Sequence, residues 1–279
     1  MPVICFAGTA AGRGDQFRAT MGVPRTPGAN LLSRTAPLRG VPGLEEFVSA
    51  LTRYRSLMLD EPDLERASSI EAEQLRVMEE VRDRVDDSAP LDEVLERLRA
   101  EGAMGKIVEE VAEGLGVRME VSGDEAYRSV EEDGLEGAGA MPVLVALQAV
   151  ARAYAERYQA RKGRLRREGA TCPLCGTESG TMVKEGDRYY MVCPLCGYEW
   201  LVSEGAPACP RCGERERLGV YTDRVGILGL GACQGCGNVW HLILGEVDAP
   251  QILLPLIAMG AERFRRALPD AGRPGSEDG

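Results

Sequence analysis

The sequence predicts an α+β fold in which a helical N-terminal domain is followed by two small tandem ribbons of short strands. Three observations predict it. Apolar residues recur at helical spacing through residues 41–160, four copies of the pattern C-x-x-C-G follow, and the segments between these copies are rich in valine, tyrosine and isoleucine. The chain has 279 residues, of which 44% are hydrophobic, and this is sufficient for a buried core.

The predicted helical domain, residues 41–160, contains five apolar stripes with helical periodicity. The stripes lie at residues 44–58, 70–85, 91–98, 104–115 and 142–158. Acidic residues outnumber basic ones on the faces between them, which is typical of a solvated surface. The segment 122–140, SGDEAYRSVEEDGLEGAGA, is acidic and rich in glycine, and we expect it to be a loop between the fourth and fifth helices.

Two basic segments flank this domain. Residues 1–40 carry several arginines and prolines without sustained periodicity, which predicts a disordered basic arm. Residues 161–171, RKGRLRREGAT, form a predicted basic hinge into the cysteine-containing part of the chain. We expect the charges of the hinge to form salt bridges with the acidic helical domain.

The cysteine pattern points to metal binding. Eight of the nine cysteines lie in four C-x-x-C-G units, in which two thiolates can face one metal ion from a single tight turn. Glycine after the second cysteine fits a turn that needs positive φ. The eight predicted ligands are Cys172, Cys175, Cys193, Cys196, Cys209, Cys212, Cys233 and Cys236.

The spacing predicts how the four units combine. Units one and two, and units three and four, are separated by lengths typical of a zinc ribbon, C-x₂-C-x₁₅₋₂₀-C-x₂-C. We therefore predict one Cys₄ ribbon over residues 172–204 and a second over 205–247; a crossed pairing is the alternative in an interleaved fold. Four thiolates suit a zinc ion or a single iron ion in a rubredoxin-like site, so two metal ions, iron or zinc, are expected.

Other residues with potential chemistry fit structural roles better. Trp200 and Trp240 each follow the last cysteine of a predicted ribbon by four positions, and each is expected to pack beside its cluster on the next strand. His241 is the single histidine of the chain, and we interpret it as a strand residue beside Trp240. Cys5 is interpreted as a bystander in the basic arm. Because a filled Cys₄ site has no open coordination position, we do not expect an enzyme.

Composition limits the partners and the compartment. A net charge of −11 repels nucleic acid and anionic membranes over long range, so no nucleic-acid partner is expected. The sequence has neither a run of about 20 apolar residues nor a basic segment before an apolar one at its N-terminus. We therefore expect no membrane span and no secretion signal, and we predict a cytoplasmic protein with reduced or metal-bound thiols.

The order of these motifs resembles the formate dehydrogenase accessory proteins of the FdhE family. In that family an Arg-Tyr strand precedes the second C-x-x-C unit, as Arg188-Tyr189 does here, and a Glu-Trp pair follows it, as Glu199-Trp200 does. A strand with a tyrosine, here Tyr221, lies between the third and fourth units. The family often has histidine after the Glu-Trp pair, where this chain has Leu201.

The resemblance implies more than the spacing does. It implies two rubredoxin-like folds that bind iron or zinc, and a closing C-terminal helix within residues 248–279. It also implies a cytoplasmic, non-catalytic accessory or chaperone function and contact with the catalytic subunit of formate dehydrogenase.

Two further functions are compatible with the sequence. The ribbon spacing and the basic hinge are also compatible with a zinc-ribbon module that binds nucleic acid or the transcription machinery. The four-cysteine clusters are compatible with a rubredoxin-like electron carrier.

Overall fold

The computed structural model describes residues 4–6, 49–50, 53, 61–134, 139–222 and 224–261. It confirms the α+β class: helices precede a mixed sheet that carries both groups of cysteines. Among the helices in the described part of the chain, none combines the length and the hydropathy needed to cross a bilayer.

Four of the five predicted stripes lie in helices. Of the first stripe, 44–58, the structure describes only residues 49, 50 and 53, which are helical. The helices are α1 (Glu61–Val81), α2 (Leu91–Ala100), α3 (Ala103–Gly114), α4 (Gly123–Asp133), α5 (Ala140–Lys162) and, after a 3₁₀ turn at Gln251–Leu253, α6 (Leu254–Met259).

The prediction of a loop over residues 122–140 was wrong, because α4 lies within it. Ser122 and Glu125 form a capping box: the Glu125 N–H donates to the Ser122 hydroxyl over 3.3 Å, and the Ser122 N–H donates to the Glu125 carboxylate over 3.0 Å. Ala126 and Tyr127 are buried on the inner face of the helix. One apolar turn and a good cap therefore stabilise a helix that composition alone did not predict.

A buried ion pair joins the two longest helices. Arg152 on α5 donates to both carboxylate oxygens of Glu71 on α1, over 2.7 and 2.8 Å, and it also donates to the Gln74 side chain. The Gln74 amide donates in turn to Gln148 over 2.7 Å. Because Arg152, Glu71 and Gln74 are all buried, these bonds satisfy polar groups that would otherwise be unpaired in the helical core.

The strands of both ribbons belong to one seven-stranded sheet. Its order is β1-β5-β6-β7-β2-β3-β4, and every neighbouring pair is antiparallel except β2 and β7, which are parallel. The strands are β1 (Ile4–Phe6), β2 (Thr181–Glu185), β3 (Arg188–Val192), β4 (Glu199–Glu204), β5 (Leu218–Thr222), β6 (Leu228–Cys233) and β7 (Val239–Ile243). The tandem ribbons are thus joined edge to edge through β2 and β7.

The first and last described elements of the chain contact this sheet. Strand β1 pairs with β5, with Cys5 opposite Tyr221, so the predicted disordered arm is wrong at residues 4–6. The other residues of that arm lie outside the described part of the chain. At the C-terminal end, Leu254 and Ile257 of α6 pack in one apolar cluster with Leu228 and Ile243, which agrees with the helix expected after residue 248.

The contact between β6 and β7 leaves no space for a side chain at Gly231. A Cβ atom at this position would lie 2.3 Å from Cε2 of Trp240, its partner in the register. We expect Gly231→Ala to lower the free energy of unfolding by about 1–3 kcal/mol, because the buried indole has to move. Gly180→Ala is the control, since a Cβ there would meet no atom within 4 Å. Equal stability of the two variants in urea unfolding would contradict this packing.

Candidate metal centres

The four C-x-x-C-G units fold into the same backbone turn. In the first unit the Cys172 N–H donates to the Thr177 carbonyl over 2.9 Å, and the Gly176 N–H donates to the Cys172 carbonyl over 3.1 Å. The equivalent bonds of the other three units measure 2.8–2.9 Å and 2.9–3.0 Å. The closing glycine has φ between 69° and 75° in all four, which explains why glycine stands there.

The first cluster combines the first and second units. Its sulfur atoms lie within 4.8 Å of one another, with Cys172 Sγ 3.7 Å from Cys196 Sγ and Cys175 Sγ 3.4 Å from Cys193 Sγ. Cys193 follows β3 directly, and Cys196 precedes β4, so the hairpin of these strands fixes the second unit.

The second cluster combines the third and fourth units. Cys209 Sγ lies 3.6 Å from Cys236 Sγ, and Cys212 Sγ lies 3.6 Å from Cys233 Sγ. Cys233 is the last residue of β6, and the fourth unit leads directly into β7. The structure therefore brings the eight cysteines together in the two groups that the spacing predicted, and not in the crossed pairing.

Both groups fit a tetrahedral ion. A metal–sulfur bond of about 2.3 Å places the sulfurs of a regular tetrahedron about 3.8 Å apart, close to the observed separations. All-sulfur ligation suits zinc or a single iron ion, and the geometry of the sulfurs does not distinguish them. Each residue's role as a ligand, and the identity of the metal, stay predictions.

The surroundings of the sulfurs differ between cysteines. The N–H of Glu214 is the main cause that lowers the pKa of Cys212 to about 7, whereas burial raises the pKa of Cys209 to about 12. In the first cluster, the hydroxyl of Thr177 lies 3.3 Å from Cys175 Sγ, within reach to donate to a thiolate there. Polar groups of the turns thus favour the thiolate form of Cys212 and Cys175.

Tyr198 connects the first cluster to the hinge and to the helical domain. The Tyr198 hydroxyl donates to the Gly163 carbonyl over 3.0 Å and accepts from the Leu165 N–H over 2.8 Å. Its ring stands edge-on to that of Tyr158 on α5, with centroids 5.9 Å apart. Backbone bonds between Leu201 and the hinge residues Leu165 and Arg167 continue the attachment along β4. The segment predicted as a hinge is therefore held in place on the sheet.

The basic residues of this segment are paired mainly with the sheet. Arg161 pairs with Asp87 of the helical domain, as predicted. Arg164 instead pairs with Glu185 and Glu199, and its guanidinium lies 4.4 Å from the centre of the Tyr190 ring. Arg166 pairs with Glu204 over 3.0 Å. The prediction that these charges meet the helical domain is right for Arg161 but wrong for Arg164 and Arg166.

Trp200 and Trp240 lie on equivalent strands, β4 and β7, and both are fully buried in the apolar cluster that contains the cysteines. The Trp200 indole N–H donates to the Gly169 carbonyl over 3.1 Å. His241 follows Trp240 on β7, in register with Thr181 and Leu230. Sequence reasoning placed both tryptophans correctly, but it missed Tyr198 and Arg164, whose contacts reach across separate elements.

Glu199 supplies a pH-dependent contribution to stability. It is 2% exposed, and burial raises its pKa to about 7 despite the charge of Arg164. The folded state therefore binds the Glu199 proton more tightly than the unfolded state does. This stabilisation is complete below the pKa of the unfolded state and is lost as the pH rises through 7. Between pH 5 and 8, we expect the free energy of unfolding of the wild type to fall by about 2–3 kcal/mol more than that of Glu199→Gln.

Urea titrations at several pH values, with metal content verified at each, measure this difference. Glu185→Gln is the matched control, because Glu185 pairs with the same arginine but is exposed. A Glu199→Gln profile that declines as steeply as the wild type would contradict the assignment.

Comparison with known proteins finds a solved structure that is similar to this chain. No family model matches the sequence, and no curated protein matches it. Among solved structures, that of the FdhE protein from Pseudomonas aeruginosa is similar over 84% of this chain and 98% of its own, with 19% sequence identity and a TM-score of 0.47.

Proposed function

We propose that this protein is a non-catalytic accessory protein that holds two metal ions and acts on a formate dehydrogenase. The observation that carries the first part is the pair of four-sulfur clusters. The second part rests on the resemblance of the sequence motifs to the FdhE family.

Each cluster supplies enough ligands for a complete coordination sphere. Four sulfurs fill the tetrahedral positions of one ion, so no position is left for a water molecule or a substrate. When bound, the ion cross-links two turns that are distant in the sequence. Its contribution is therefore to the stability of the sheet, and this favours a binding protein over a hydrolytic enzyme.

Apart from the exposed Arg188, the residues named for the family resemblance lie mainly in the interior. Tyr189 on β3, Trp200 on β4 and Tyr221 on β5 are buried, and Glu199 is buried against Arg164. These residues support the fold and position the cysteines. Contact with a partner enzyme consequently falls to exposed residues around this framework.

We place the partner segment in the groove between the hinge and the third C-x-x-C-G unit. A cavity of about 360 Å³ lies there, lined on one side by Glu168 and Gly169 and on the other by Pro210, Arg211 and Arg215. Both arginines are exposed. Peptide carbonyls or carboxylates of an extended segment would find donors on that side of the groove.

Gene deletion and complementation test the function. We expect a deletion strain to contain formate dehydrogenase polypeptide without activity. The Cys172→Ser and Cys209→Ser proteins should fail to restore the activity of the deletion strain. The Cys5→Ser protein, whose substitution lies outside the four units, should restore that activity. Pull-down with the wild-type protein should recover the catalytic subunit. Full activity in the deletion strain, or repeated failure to recover the enzyme, would refute this partner.

The nucleic-acid alternative is less well supported. The basic hinge was its main argument, but Arg161, Arg164 and Arg166 are paired with carboxylates. Together with the net charge of −11, this leaves a weak electrostatic attraction for a phosphate backbone.

A further inference from the structure

The two clusters differ in their exposure to solvent. In the first, Cys172, Cys193 and Cys196 are buried and Cys175 is half-buried. In the second, Cys209 and Cys233 are buried, Cys236 is half-buried and Cys212 is exposed. The second cluster therefore has one cysteine that is exposed to external molecules.

The space around Cys212 increases this difference. Two cavities include it in their lining, one of about 360 Å³ shared with Pro210 and one of about 520 Å³ shared with Gly235 and Cys236. The first cluster also borders a cavity, of about 430 Å³, to which Cys196 contributes. Only 2% of Cys196 is exposed, however, so its sulfur is shielded there.

We propose that the second cluster is an exchangeable metal site that gives up its ion to small thiols, with Cys212 as the first sulfur displaced, while the first cluster retains its ion. This inference rests on the proposed metal binding. It assigns different roles to two sites that are alike in sequence, one structural and one open to exchange.

The exchange step is a ligand substitution without a change in oxidation state. A small thiol, RSH, approaches through the open side, and a lone pair of its sulfur forms a bond to the metal. The bond between the metal and Cys212 Sγ breaks, and the proton from RSH ends on Cys212. Three further thiol groups displace Cys209, Cys233 and Cys236 in the same way, each proton passing to the freed cysteine, and the ion leaves bound to the exogenous thiolates.

The first cluster resists this step because none of its cysteines is exposed and its second unit is held against the hinge. Tyr198, two residues after Cys196, is bonded to Gly163 and Leu165 of the hinge. The neighbouring strand β4 is bonded to the same segment through Leu201. An incoming thiol needs local opening of these contacts, and the exchange rate falls exponentially with the free-energy cost of that opening.

Native mass spectrometry of the full chain tests the proposal. The Cys5→Ser protein, in which only the eight cluster cysteines remain, is incubated with dithiothreitol, and the numbers of bound ions are followed with time. A short pulse of N-ethylmaleimide and peptide mapping then identify the freed sulfurs. We expect a species with one ion to accumulate, with loss of the first ion about tenfold or more faster than loss of the second.

The label identifies which cluster opens. We expect adducts first at Cys212, then at the other three sulfurs of the second cluster, while the first cluster stays unlabelled. Cys212→Ser provides a second measurement: it should contain only the slowly released ion. Loss of both ions at equal rates, or earlier labelling of the first cluster, would overturn this inference and leave metal binding intact. A purified protein without any bound ion would overturn both proposals.

Discussion

A Cys193→Ser substitution is expected to remove one of two bound metal ions and to unfold the first ribbon. Cys193 is fully buried at the end of β3, and its sulfur lies 3.4 Å from that of Cys175. Structural zinc contributes about 10–16 kcal/mol in small metal-binding domains, which is as large as the whole stability of a typical domain. Serine leaves the cluster with three thiolates and a buried hydroxyl.

Metal content and hydrogen exchange measure this effect together. We expect about one ion to be lost and β2, β3 and β4 to lose their protection. Protection should also decrease in β7, because its parallel partner β2 becomes disordered. Cys5→Ser is the control and should retain both ions. Retention of two ions by Cys193→Ser would contradict the grouping of the cysteines.

Arg152→Met is expected to lower the free energy of unfolding by about 3–5 kcal/mol, because it leaves the buried Glu71 carboxylate without its cation. Burial is the main cause that raises the pKa of Glu71. A carboxyl with a raised pKa in the folded state stabilises most at low pH and loses that contribution as the pH rises. Because Arg152 lowers this pKa, its removal raises the pKa further, and the variant should lose more stability than the wild type between acid and neutral pH. Urea unfolding of metal-loaded protein measures it.

Two variants control for the change of side chain. The double variant Glu71→Gln, Arg152→Met should recover part of the loss, since no charge stays buried. Arg82→Met removes an arginine of similar size from an exposed pair with Glu79, and we expect it to cost at most about 1 kcal/mol. A double variant as unstable as Arg152→Met alone would indicate that packing, and not the unpaired charge, causes the effect.

Local patterns in the sequence predicted local structure well. The spacing between the C-x-x-C-G units predicted which cysteines group together, and the structure selects this grouping over the crossed one. Helical periodicity predicted α1, α2, α3 and α5. Helix α4 was missed although its signal, serine three residues before glutamate, was present, because acidic composition and glycine were given more weight than the cap.

Contacts between distant elements were not predictable in this way. The parallel pairing of Thr181 with His241 depends on two strands about sixty residues apart, and neither strand carries a local mark of it. The same holds for Arg164, whose partners Glu185 and Glu199 lie on two different strands. Such contacts follow from the arrangement of the whole sheet, which periodicity and spacing do not specify.

The position of β2 beside β7 has a consequence for the order of events during synthesis. β2 leaves the ribosome long before β7, which is the last strand in the described part of the chain. Until β7 arrives, the inner edge of the first ribbon offers unpaired backbone groups to any other chain. Pairing over such a sequence separation is slow to form. The nascent chain therefore passes through an interval in which this edge is open to pairing with other chains.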